Sequence, residues 1–137
     1  RTFLSRELPD WLATHYEVSR AVENRAILGR SAGARIATEA ALASPGFGRV
    51  GLLIPGRRVA LEPEFEGAIA TSGRRLRVAI LAGRYDLANL ATAVSLRRAF
   101  MDAGDRVDYI EVAEGHNPTT WRDHLAKVLV ALFKPAV

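Results

Sequence analysis

Ala26-Ile27-Leu28-Gly29-Arg30-Ser31-Ala32-Gly33-Ala34-Arg35-Ile36-Ala37 is the stretch on which the reading of the fold turns. It begins as a short apolar run and ends as a helix-forming run that continues to Leu42. Between the two stands Gly-x-Ser-x-Gly, a pattern that gains mechanical meaning when a strand enters it and a helix leaves it. So tight a turn needs small residues round the serine, and Gly29, Ala32 and Gly33 supply them. The serine hydroxyl then stands exposed at the strand's end. The N–H of Ala32 can point at negative charge developing on an oxygen. Glycines also join strands to helices in any α/β unit, so the pattern needs an acid and a histidine placed to match it.

Working outward, residues 3–16 read as helical, with Leu4, Leu8, Trp11 and Leu12 on one face and Pro9 set to kink or restart the helix. Residues 25–28 form a strand whose unbroken apolar run suits burial on both faces. In the helix after Ser31, Arg35 and Glu39 are spaced to pair, and Ile36, Ala37 and Ala40 are expected to face the sheet. Further strands are expected at 50–54, 77–82 and 107–112, the last alternating more and so nearer an edge. Residues 87–103 read as a helix with Leu90, Ala93, Leu96 and Phe100 inward, closed by Gly104. Thr119 or Thr120 is expected to cap a last helix striped by Trp121, Leu125, Val128, Leu129 and Leu132. Segment 55–75 has no clear period and is long for a connection. It is expected to line a site or hold a small helix, with Arg57, Arg58, Glu62, Glu64 and Glu66 read as a solvated loop.

The whole chain of 137 residues is long enough for one domain, 1–137, with a real core. Apolar residues make up 49% and charged residues 25%, the balance of a soluble globular protein, and no apolar run approaches a membrane span. The net charge of +4 raises the question of nucleic acid. Its basic residues, arginine at all positions but Lys127 and Lys134, are scattered and lack interleaved aromatics. They read as solvated surface charge, so no nucleic-acid partner and no membrane partner is expected. Without cysteine there is no disulfide framework or thiolate metal site. The compartment stays open, with the cytoplasm favoured over secretion. Arg1 in place of an initiator methionine suggests a longer chain or a removed segment.

Alternating strands and helices imply a mostly parallel sheet covered on both faces, whose ligands sit at the carboxyl ends of the strands. Ser31, Asp86 and His116 each come just after an expected strand. A serine hydroxyl is a poor nucleophile at neutral pH. It needs a base for its proton and donors for the charge it creates. His116, in the loop 113–118, is the candidate base. Asp86 is the candidate acid that orients it, although Asp86 alone also reads as a helix cap. Glu114 and Asp105 are weaker alternatives for the acid, and His15 and His124 read as structural. The order Ser…Asp…His is that of an α/β-hydrolase, and the mechanism it implies needs no metal and no cofactor.

These stretches resemble the esterase family of α/β-hydrolases that includes the enterochelin esterases and esterase D-like proteins. The resemblance begins at F-L-S-R-E-L-P-D-W-L-A-T-H-Y from Phe3, passes through R-A-I-L-G-R-S-A-G from Arg25, and resumes at Gly83-Arg84-Tyr85-Asp86. The ending E-G-H-N-P-T-T-W-R-D-H-L from Glu114 is similar to the family's G-H-D/N-x-x-x-W-R-x-x-L. It implies Ser31 as nucleophile, Asp86 as acid, His116 as base, Ala32 as one oxyanion donor and a small-molecule carboxylic ester as substrate. A non-catalytic binding or scaffold domain on the same fold is the alternative. The resemblance covers only the family's C-terminal half. The N-terminal strands and the loop carrying the second oxyanion donor are therefore expected to lack a counterpart here. An open strand edge is a liability, so a second segment, chain or identical copy is expected to complete the sheet.

Overall fold

Four apolar runs become four strands: β1 (Ala26–Arg30), β2 (Arg49–Leu53), β3 (Arg77–Gly83) and β4 (Arg106–Val112). A computed structural model describes residues 2–57 and 63–135. Among these the strands form one parallel sheet in the order β1-β2-β3-β4. The helices are α1 (Leu8–His15), α2 (Gly33–Ala43), α3 (Pro63–Thr71), α4 (Leu90–Asp102) and α5 (Pro118–Phe133). Parallel crossovers of one hand that advance in one direction lay their helices on one face. Accordingly α2, α3 and α4 enclose a core with Val50, Leu52, Val78, Ile80, Leu96 and Phe100. On the opposite face Leu53, Ala79 and Leu81 pack against Val128, Ala131 and Leu132 of α5. The expected α/β sandwich of helices on both faces is thus the observed one. Segment 55–75 contains α3, seated by Phe65 and Ile69, while Arg58 and Glu62 lie outside the described residues.

Several local expectations change. β1 is half-buried at Ala26, Ile27 and Leu28 rather than buried on both faces, because it is an edge strand paired only with β2. In α2 the buried residues are Ala34, Ala37, Thr38, Ala40 and Ala41, so Ala37 and Ala40 are enclosed as expected while Ile36 is 55% exposed. These five small residues let the helix approach the strands more closely than an isoleucine would, and Thr38 is satisfied by donating to Ala34 O at 3.0 Å. Arg35 and Glu39 pair as expected, at 2.9 Å. Helix α4 begins at Leu90, three residues later than expected, and closes at Gly104, whose φ is +83°. The cap of α5 is Asn117 instead of a threonine. Its side chain accepts from Thr120 N at 3.0 Å, and Pro118 at the first position favours the extended backbone that a cap residue adopts.

Helix 3–16 is broken in two. Phe3–Glu7 is a wide π-type turn and α1 starts at Leu8. Pro9 has no N–H to give to Ser5 four residues back. Ser5 O instead accepts from Ser44 Oγ at 2.8 Å, which ties the N-terminal segment to the end of α2. Between this segment and β1 lies a cavity of about 490 Å³ lined by Leu4, Leu8, Leu12, Val18, Ile27 and Phe47.

Three arginines expected to be solvated do structural work at the opposite end of the sheet. Arg49 and Arg77 donate to the carbonyls of Leu132 and Lys134, and Arg75 donates to Ala103 O at 2.9 Å. These are carbonyls that the ends of α5 and α4 leave unsatisfied, at the negative end of each dipole. Burial, followed by the neighbouring charge of Arg106, lowers the pKa of Arg77 from its ordinary value.

Candidate active site

β1 feeds directly into α2, and the join is possible only because of Gly29. A Cβ at Gly29 would lie 2.0 Å from Gly33 O. The chain turns at Ser31 with φ of +50°, a left-handed conformation that costs a non-glycine residue on the order of 1–2 kcal/mol. Ser31 N donates to Leu53 O at 3.0 Å, so the turn stays fastened to β2 while its side chain is thrown clear of the sheet. Ala32 is the N-cap of α2, and its N–H is among the donors that a helix start leaves unsatisfied.

Ser31, Asp86 and His116 meet at the carboxyl edge of the sheet. Ser31 Oγ lies 2.9 Å from His116 Nε2, and His116 Nδ1 lies 2.6 Å from Asp86 Oδ2. An ionised carboxylate only accepts, so Nδ1 carries the proton and Nε2 is free to accept from the serine. The Asp86 side chain is 6% exposed and that of His116 34%, which leaves the imidazole accessible from solvent and the carboxylate enclosed. The histidine loop is held close to β3 by a second glycine contact, since a Cβ at Gly83 would sit 2.6 Å from Glu114 O. Thr120 Oγ1 fastens the same loop by donating to Gly115 O at 2.7 Å.

The other candidates are engaged elsewhere. Glu114 Oε1 lies 2.6 Å from His124 Nε2, bracing the His116 loop against α5. Asp105 accepts from Leu76 N at 2.7 Å beneath the sheet. His15 stacks on Trp11 with ring centroids 4.4 Å apart. Arg30, beside the serine, lies over the Trp121 ring at 5.3 Å.

Two residues at the site had no signal in the sequence. Asn89 donates from Nδ2 to Asp86 Oδ1 at 2.6 Å and accepts from Arg57 N at 2.6 Å. Gly56 presses on the serine, where a Cβ would stand 3.2 Å from Ser31 Oγ. Asn89 falls inside the helix expected over 87–103, and a glycine after a strand reads as a turn, so neither was distinguishable.

A family model described as "Putative esterase" matches residues 1–132. The chain belongs to this esterase family. Its fold is that of solved family structures. Enterochelin esterase from Shigella flexneri superposes with a TM-score of 0.78 at 20% identity, covering 97% of this chain and 36% of that one. Ferric enterobactin esterase from Salmonella typhimurium gives 0.70 at 22% identity, again with 97% and 36% coverage. S-formylglutathione hydrolase from Staphylococcus aureus gives 0.63 at 15% identity, with 92% and 58% coverage. This esterase-family chain therefore spans about a third of the enterochelin esterases it resembles. Comparison with curated protein sequences gives no match. Among the described residues of this esterase-family chain, no helix is long and apolar enough to cross a membrane.

Proposed function

We propose that this chain carries the nucleophile, base and acid of a serine esterase that cleaves carboxylic esters through an acyl-enzyme. The observation that carries the reading is the continuous relay Ser31 Oγ–His116 Nε2 at 2.9 Å and His116 Nδ1–Asp86 Oδ2 at 2.6 Å, built from loops after β1, β3 and β4. Family membership supports the same chemistry.

In this mechanism Ser31 Oγ attacks the ester carbonyl carbon while His116 Nε2 takes the hydroxyl proton. The carbonyl oxygen becomes an oxyanion facing Ala32 N–H, and Asp86 stabilises the imidazolium. Collapse of the tetrahedral intermediate breaks the bond to the alcohol oxygen, which leaves with the proton from His116. Water, deprotonated by His116, then releases the carboxylic acid and restores Ser31. Loss of one oxyanion donor costs ~10²–10³-fold in rate where it has been measured, so the partner donor to Ala32 matters. We assign it to a further segment, another chain or a second copy that continues the sheet beyond β1. That outer edge is free among the described residues, which is also what favours the second reading, a binding or scaffold domain without turnover.

The test is labelling of the complete protein with a fluorophosphonate and mapping of the adduct. The expected result is a single adduct on Ser31, lost in Ser31→Ala and slowed at least 10²-fold in His116→Ala. An adduct that survives Ser31→Ala overturns the assignment. Ester turnover that requires His116 overturns the scaffold reading.

A further inference from the structure

Asp86 uses only one oxygen on the histidine, and the other oxygen has a dedicated partner. Asn89 Nδ2 donates to Asp86 Oδ1 at 2.6 Å, while Asn89 Oδ1 accepts from Arg57 N at 2.6 Å. The two contacts fix which way the amide faces. Flipping it would set an amide oxygen against a carboxylate oxygen and an NH₂ against a backbone N–H, losing both bonds. Asn89 precedes α4 but its side chain does not cap that helix. Its Nδ2 is also 3.2 Å from His116 Nδ1. The Nδ1 proton is directed to Asp86 at 2.6 Å, so this approach is a packing contact that closes the space beside the ring.

We infer that Asn89 is a positioning residue that sets the plane of the Asp86 carboxylate and so the orientation of the His116 imidazole. The inference rests on the reading of Asp86 and His116 as acid and base. A carboxylate held by one oxygen alone turns about its Cβ–Cγ bond. A donor on the second oxygen stops that rotation and keeps Oδ2 in line with Nδ1–H. The same amide carries the constraint to the loop after β2. Arg57 N–H holds Asn89, and Gly56 next to it lies against Ser31, where a Cβ would be 3.2 Å from Oγ. Acid and nucleophile, on loops after different strands, are thereby registered through one side chain.

Asn89→Ala and Asn89→Asp separate this role from a structural one. Aspartate keeps an acceptor for Arg57 N and removes only the donor to Asp86, so an Asn89 that merely holds the Arg57 loop tolerates Asn89→Asp without loss. A positioning Asn89 does not, because a second carboxylate would face Asp86 at hydrogen-bond distance. In the complete protein, hydrolysis of a short-chain p-nitrophenyl ester should show kcat reduced about tenfold or more in Asn89→Ala, the scale of a hydrogen bond to a charged group. KM should stay within about twofold, and Asn89→Asp should be slower still while melting no lower than Asn89→Ala. A second readout needs no turnover. The far-downfield NMR signal of the His116 Nδ1 proton should be present in the parent protein, absent in Asp86→Ala, and broadened or lost in both Asn89 variants. Parent-like kcat in Asn89→Asp, or an unchanged Nδ1 signal in Asn89→Ala, overturns the inference. Turnover that persists in Ser31→Ala would instead overturn the catalytic reading, and the Nδ1 signal would still decide whether Asn89 holds the Asp86–His116 pair.

Discussion

At the scale of single residues, strain and burial are concentrated near functional loops and strand starts. Ser31 and Ile54 have φ of +50° and +43°, and both follow the last residues of neighbouring strands. A β-branched residue in that region is a genuine outlier. Ile54 is 2% exposed, and its N–H donates to Leu81 O at 2.8 Å, so packing and a hydrogen bond hold it there and aim Pro55-Gly56 at the serine. Asp105 is the converse case, a buried carboxylate away from the chemistry. One oxygen accepts from Leu76 N, and Oδ2 has no partner among the described residues. Burial, the largest influence, raises its pKa above the ordinary 3.8, outweighing the Leu76 N–H and the charges of Arg75 and Arg74. The native state then binds this proton more tightly than the unfolded chain does. Stability from this residue is present below the ordinary carboxylate range and is lost as pH rises through the raised value. Asp105→Asn keeps an acceptor for Leu76 N and carries no charge. Denaturant midpoints should favour Asp105→Asn at pH 7, with the difference from the parent shrinking as pH falls towards 4. A difference that does not change with pH would show that desolvation of Asp105 is not its source.

At the scale of elements, the strands and the meeting of Ser31, Asp86 and His116 were legible because each of the three sits where an apolar run stops, and a parallel sheet gathers such ends on one edge. The face of α2 was legible only in part, because Ala37 and Ala40 are buried as expected while Ile36, which attracts the hydrophobic pattern, is exposed and Ala34, Thr38 and Ala41 complete the packing. The break ahead of Pro9 was legible. The bond from Ser44 that accommodates it was not, since a contact across 39 residues leaves no local trace. Asn89 was hidden for a related reason, its partners being an acid three residues before it and a backbone N–H on another loop. The cap of α5 shows how an element's end bears on the chemistry. Asn117 follows His116 directly, and its side chain receives Thr120 N at 3.0 Å, which fixes the start of the helix and with it the exit of the base loop. Asn117→Ala should cost about 1 kcal/mol of stability by the ordinary worth of such a cap. It should also lower kcat, because the loop bearing His116 loses its anchor, while Asn117→Ser recovers most of both. Equal melting of parent and Asn117→Ala, measured by circular dichroism, would count against the cap.

At the scale of the whole molecule, the outer edge of β1, free among the described residues, connects the fold to the proposed active site. Ser31 N donates to Leu53 O. By the alternation of a parallel strand, the N–H and C=O of Ile27 and Gly29 also face β2, and those of Ala26, Leu28 and Arg30 face away from it. That row of outward groups runs beside the cavity of about 490 Å³ between β1 and the N-terminal helices. Leu4, Leu8 and Leu12 line it, and no residue of Phe3–Glu7 or of α1 is fully buried. An apolar groove next to unpaired strand groups is complementary to one more strand with apolar side chains, and a strand there would bring backbone donors alongside Ser31. The proposal that a further segment, another chain or a second copy completes the sheet can be measured directly. The isolated 137-residue chain should self-associate in gel filtration or, if dilute enough to stay monomeric, exchange the Leu28 amide hydrogen quickly. In the complete protein the same amide should be protected to nearly the level of the β3 amides. A stable monomer of these residues with Leu28 protected would mean that the edge is already satisfied, and the second oxyanion donor would have to come from elsewhere than a strand beside β1.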